Sequence, residues 1–101
     1  MTQHTIETVT FTLNAGVSRE AFAREAKSIS DFVRNRDGFI ARRLSVGDDG
    51  LWIEHIEWAS LAAAKSAAAD ICNDPTLAAA MGMIDGPSVK LYHTTLEIAV
   101  D

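Results

Sequence analysis

Two alternating segments flank the tetrapeptide Gly47-Asp48-Asp49-Gly50, and no other feature of the chain constrains its fold as much. From Phe39 to Val46, Ile40, Leu44 and Val46 fall on one side and Ala41, Arg43 and Ser45 on the other. In the stretch WIEHIEW, Trp52, Glu54, Ile56 and Trp58 separate from Ile53, His55 and Glu57. A period of two is strand spacing, because successive side chains leave a strand on opposite faces. A short Gly/Asp turn between two such strands closes a hairpin. The centre of the chain is therefore predicted to be an antiparallel strand pair.

The flanking segments extend that sheet. Thr5 to Leu13 alternates Val9, Phe11 and Leu13 with Thr8, Thr10 and Thr12, and Val89 to Val100 alternates again. Between the first and second strands, Ser18 is a predicted N-cap. Phe22, Ala26, Ile29 and Val33 follow at four, three and four residues, one apolar stripe of a helix widened by Phe32. Arg34 and Arg36 suit the C-terminal end of its dipole, and Gly38 stops it. After the third strand, Ser60 caps the alanine-rich segment SLAAAKSAAADIC, Asn73-Asp74-Pro75 interrupts it, and Thr76 to Met83 reads as a further short helix.

The order β-α-β-β-α-β predicts an α+β, ferredoxin-like antiparallel sheet with helices on one face. The first strand then lies between the third and the last. A chain of 101 residues, 48% hydrophobic and 23% charged, is the size and composition of a single globular domain, taken here as 1–101. Its own core is modest at that length, so burial in an oligomer would help it.

Composition also excludes function classes. A formal charge of −5 argues against a phosphate-backbone or anionic-membrane partner, and Asp31 and Asp37 dilute the basic cluster of Arg34, Arg36, Arg42 and Arg43. No run approaches the roughly 20 apolar residues of a membrane span, and MTQHTIETVT shows no secretory signal. One cysteine, Cys72, cannot form an intramolecular disulfide, which fits the reducing cytoplasm. There is no glycine-rich phosphate loop, no nucleophile elbow and no paired-cysteine zinc spacing, so no metal is expected. MGMIDGPS reads as a mobile loop near a pocket mouth.

Glu57-Trp58-Ala59-Ser60 running into the alanine-rich helix, taken with the element order, resembles the antibiotic biosynthesis monooxygenase-like proteins of the dimeric α+β barrel superfamily. The resemblance spans almost the whole chain as a pattern, although its motif is short and structural: a strand-end aromatic over a helix start, and a cap. It implies a homodimer with two sheets packed face to face and helices outside. Members include cofactor-independent oxygenases of aromatic polyketides, haem-degrading enzymes and isomerases of signal molecules. Two departures matter. The helix Leu61 to Ile71 carries no histidine, where relatives often have one, and His4, His55 and His93 all fall on strands. Haem is therefore not expected, and no cofactor is.

Two cavities are conceivable. If Phe11, Leu44, Ile56 and Leu96 face the helices, the other sheet face collects Thr8, Thr10, Thr12, Arg43, His55, Glu57, His93, Thr95 and Glu97. Thr10 and Thr12 would then separate His55 from His93. In the functional reading this face is a polar lumen between subunits, with His55 or His93 as the proton-transfer group, since histidine ordinarily titrates near neutral pH. In the structural reading it is an interface in which Arg43 pairs with Glu57 or Glu97. The second cavity lies between sheet and helices, where Trp52, Trp58, Phe22, Phe32, Tyr92, Met81 and Met83 would line an apolar pocket with Asn14 at its rim. Simple core packing is the alternative there. The resemblance implies a cofactor-independent monooxygenase acting on a small apolar or aromatic compound. A non-catalytic ligand-binding or structural dimer stays open, as does an isomerase or lyase using histidine.

Overall fold

A computed structural model describes residues 3–101. Met1 and Thr2, part of the stretch read for a secretory signal, lie outside the described residues. Strand β1 (Thr5–Phe11) leads to helices α1 (Arg19–Glu25) and α2 (Lys27–Arg34), then to strands β2 (Phe39–Val46) and β3 (Trp52–Trp58). Helices α3 (Leu61–Ile71) and α4 (Ala78–Met81) and strand β4 (Lys90–Thr95) complete the order. The sheet runs β2-β3-β1-β4 with every pair antiparallel, so β1 lies between β3 and β4 as the ferredoxin-like arrangement requires.

Local chemistry accounts for the elements. Ser18 Oγ accepts from the Ala21 amide and Ser60 Oγ from the Ala63 amide, each at 3.1 Å, so both predicted caps form. The stripe expected on one helix is shared by two. The helix breaks at Ala26, where the Ser28 hydroxyl donates to the Glu25 carbonyl and the Ile29 amide bonds Ala26 rather than a residue four back. A serine that bonds the preceding turn competes with the helical ladder. Phe22, Ala26, Ile29 and Val33 remain on one buried side across the break. The last expected helix is shorter than Thr76 to Met83: Pro75–Leu77 is a 3₁₀ turn capped by Asp74, and α4 ends at Met81.

Helix α2 ends at Arg34 with Asn35 as its C-cap, four residues before the expected stop. Gly38 sits in the turn into β2 with φ 85°, a conformation costly for any residue with a Cβ. A Cβ there would also lie 2.7 Å from the Ala63 Cβ, so this glycine lets the start of β2 pass close over α3. In the hairpin, the Gly47 amide bonds the Leu51 carbonyl at 2.9 Å, closing the predicted turn. Register shifts between Phe39 and Ala41, and this bulge turns Ile40 outward, 41% exposed, rather than toward the helices with Leu44 and Val46. Phe39 takes the inner position instead, edge-on to Trp58 at 6.0 Å. Beyond the bulge the alternation is regular, and Arg42 shares the helix side with Leu44 and Val46.

Strand β4 differs most from expectation. It stops at Thr95, and Ile98 and Val100 beyond it are 83% and 91% exposed. Its antiparallel register sets Leu91 opposite Val9, Tyr92 opposite Thr8 and His93 opposite Glu7. Val9 and Phe11 pack toward the helices, so Leu91 and His93 lie on the helix side while Tyr92 and Thr94 lie on the outer face. The expected assignment of Tyr92 to the helix side, and of His93 to the other, is thus reversed, and Leu96 lies beyond the end of the strand. Alternation fixes which residues share a face, but leucines stand in both phases of this edge strand, so pairing with β1 decides which phase turns inward.

Candidate functional site

Between the sheet and the helices lies a cavity of about 190 Å³. Phe22, Phe32, Trp58 and Met81 line it, as the sequence leads one to expect, together with Val9, Phe11, Ile56 and Leu91. The small alanines of α3 leave this space: Ala67 and Ala68 reach the wall without filling it. An apolar cavity of about 150 Å³ suffices to hold benzene, so this one matches a ligand of one or two rings.

Two carboxylates interrupt the apolar wall. Glu7 of β1 is 5% exposed and Glu54 of β3 is 8% exposed. The Trp58 indole N–H donates to Glu7 Oε1 at 3.2 Å, and His93 Nε2 lies 3.0 Å from Glu7 Oε2. His93 therefore stands behind Glu7 and reaches the cavity only through it. Glu54 Oε2 accepts from Arg42 Nε at 2.8 Å and from Arg42 Nη2 at 2.6 Å, while Arg42 Nη1 donates to Ser30 Oγ at 2.7 Å. The second pair thus ties β2 and β3 to α2. Burial raises the Glu54 pKa above the usual carboxylate range, opposed by the charge and hydrogen bonds of Arg42, with the Glu7 charge adding to the rise.

The other expected site residues lie elsewhere. Trp52 is buried but does not line the cavity; it stacks on Phe11 at 6.4 Å and meets Phe22 edge-on at 4.9 Å. Met83 packs in that same cluster, outside the cavity wall. His55 is exposed on the outer face between Thr8 and Arg43, and Tyr92 is 52% exposed there. His55 and His93 are on opposite faces of the sheet, not separated by Thr10 and Thr12 on one. Within the chain, Glu57 Oε2 meets His4 Nδ1 at 2.6 Å, and Arg43 Nη1 donates to the Arg42 carbonyl. Asn14 is not at the rim either. Its Nδ2 donates to the Gly82 carbonyl and its amide to the Met83 carbonyl, both at 2.9 Å. With the Asp85 amide on the Thr12 carbonyl and the Thr12 amide on Ser88 Oγ, these bonds pin the expected mobile loop to the end of β1.

Among the described residues, no three His, Cys, Asp or Glu side chains are grouped to hold a metal ion. Also among them, no helix is long and apolar enough to cross a membrane. The sequence reading missed Glu7, Arg42 and Glu54 as site residues. The signal was present, since each falls in phase with apolar neighbours that face the core.

This is the ferredoxin-like α+β fold of the antibiotic biosynthesis monooxygenase-like proteins, so the likeness drawn from Glu57 to Ser60 holds at the level of the fold. SnoaB, a cofactor-independent oxygenase from Streptomyces nogalater, superposes with TM-score 0.70 at 15% identity over 98% of this chain and 96% of its own. A monooxygenase from the gene ActVA-Orf6 of Streptomyces coelicolor, solved with the ligand Nanaomycin D, gives TM-score 0.73 at 17% identity over 97% and 91%. A candidate antibiotic biosynthesis monooxygenase from Chloroflexus aurantiacus gives 0.69 at 10% identity over 97% of each chain. No protein-family model matches the chain, and no curated protein matches its sequence.

Proposed function

We propose that this chain is a small monooxygenase without a cofactor, taking a one- or two-ring phenol into the cavity between sheet and helices. The observation that carries the reading is Glu7, a buried carboxylate on an apolar wall, held by Trp58 and backed by His93. Glu7 accepts the phenolic proton, and His93 positions the carboxylate and shares that proton. Ionisation puts electron density on the ring carbon para to the oxygen, which forms a bond to O₂. The resulting hydroperoxide loses water and leaves a quinone. Phenol and O₂ become quinone and water, with one oxygen atom going to each product. The apolar wall keeps bulk water from the reacting carbon.

His55 has no part in this chemistry, because it lies on the far side of the sheet. That outer face, with Ile53, Tyr92, Thr8 and Thr10, is proposed to pack against a second copy of the chain. The free thiol of Cys72 suits a cytoplasmic protein.

Oxygen uptake with 1-naphthol tests the reading, with 1,4-naphthoquinone quantified as product. The wild type should consume one O₂ per quinone formed. Glu7→Gln should lose about 10²-fold or more in rate while keeping its near-ultraviolet circular dichroism, and His55→Ala should match the wild type. Uptake unaffected by Glu7→Gln refutes the role of Glu7. Proton exchange on the ligand without uptake would assign an isomerase or lyase instead, and binding with neither would assign a non-catalytic carrier.

A further inference from the structure

The polar wall of the cavity is unusual in what it lacks. Its Trp58 N–H is already given to Glu7, and the two basic side chains beside its carboxylates, Arg42 and His93, are engaged by Glu54 and Glu7. Glu54 Oε1 accepts no hydrogen bond among the described residues, although Glu54 lines the cavity and is almost wholly buried. An arriving ligand therefore meets two carboxylates, one with an open acceptor oxygen, and no uncommitted cation.

We infer that Glu54 is a specificity-determining residue: its free Oε1 receives a hydrogen-bond donor from the ligand, so the cavity selects neutral rings bearing a hydroxyl or amino group and rejects carboxylates. The inference rests on the cavity being the ligand site, and it names the class of ligand that site takes. A donor from the ligand takes up the acceptor capacity that Arg42 leaves open on Oε1, and a hydrogen bond to a charged acceptor is stronger than one between neutral groups. A ligand carboxylate would lose its hydration and find only like charge.

The test compares 4-ethylphenol, 4-ethylanisole and 4-ethylbenzoate, which share a ring and differ in the polar group. Binding is followed by the shift of the Trp58 indole N–H resonance, which reports the cavity. The phenol should bind about tenfold tighter than the anisole, and the benzoate weakest of the three. In Glu54→Gln a negative charge is gone and Arg42 is released, so the benzoate should gain about tenfold against the phenol. The wild-type series stands alone if that variant does not fold. Benzoate binding as tightly as phenol, or anisole equal to phenol, overturns the selection while leaving the cavity a ligand site. If none of the three shifts the Trp58 resonance, the cavity reading falls and the selection with it.

Discussion

Replacing Arg42 by methionine isolates the buried ion pair. Methionine keeps much of the length and apolar stem of arginine but removes three hydrogen bonds, two to Glu54 and one to Ser30. The side chains of Arg42 and Glu54 are 9% and 10% exposed, so the carboxylate left behind could not recover its lost interactions from bulk water. Removing one partner of such a pair costs about 3–5 kcal/mol. The total stability of a domain is only about 5–15 kcal/mol, so the loss should be plain. With a urea m-value of about 1.5 kcal/mol/M, the midpoint should fall by roughly 2–3 M.

The pH dependence makes the prediction sharper. Glu54 in the folded wild type already titrates above the usual carboxylate range, because burial outweighs the opposing effect of Arg42. Without Arg42 its folded pKa rises further, while its unfolded pKa stays ordinary. The folded variant then binds the extra proton between those two values, so its stability is highest below the unfolded pKa and falls as pH rises toward the folded one. The deficit relative to wild type should therefore narrow as pH drops from about 8 to about 5. Glu7, the other charge acting on Glu54, is present in both proteins and does not reverse the sign. Urea unfolding followed by the fluorescence of the two buried tryptophans measures both effects. The double variant Arg42→Met/Glu54→Leu should return to wild-type stability or above, since a buried pair replaced by apolar groups is often neutral or stabilising. A loss below about 1 kcal/mol in the single variant, or a deficit that widens in acid, would refute the burial argument.

Gly38→Ala should cost about 2–4 kcal/mol in thermal unfolding, because φ 85° strains alanine and its Cβ would meet Ala63. Gly50→Ala, with φ 83° and nothing near its Cβ, should cost only the strain, and equal losses for the two would remove the close-approach explanation. Sedimentation equilibrium should give a dimer mass for the wild type and a monomer for Ile53→Lys, which puts a charge on the outer face of the inner strand β3. A wild-type monomer at micromolar concentration would sink the face-to-face pairing.

How much of this was legible follows from what periodicity can encode. The alternation in WIEHIEW separated Trp52 and Trp58 from His55, and the structure keeps that separation. Ser18, Ser60 and the Gly47 to Gly50 turn were readable because each rests on bonds between near neighbours in sequence. The inward phase of β4 was not, because it depends on pairing with a strand more than eighty residues away. One unpaired bulge residue at Ile40 was equally invisible, and it decides that Phe39 rather than Ile40 points inward. Trp52 and Trp58 share a face, yet six residues of strand carry them into different clusters, so a shared face did not make a shared pocket.

The charged residues on the inner face suggest where function resides. Glu7, Arg42, Glu54 and His93 occupy positions that alternation reserves for the core, in a domain whose core is small to begin with. Stability alone gives no reason for them, because well-packed apolar residues at such positions are commonly as good or better. Departures from local consistency of this kind concentrate at functional sites. Here Glu7 and Glu54 stand in one wall of a space sized for a ring, with His93 bonded behind the first and Arg42 behind the second. An arrangement that served only to hold strands to helices would have no use for that space, and a purely apolar pocket would have no use for the carboxylates. A pocket that must seat a flat molecule and take a proton from it needs both.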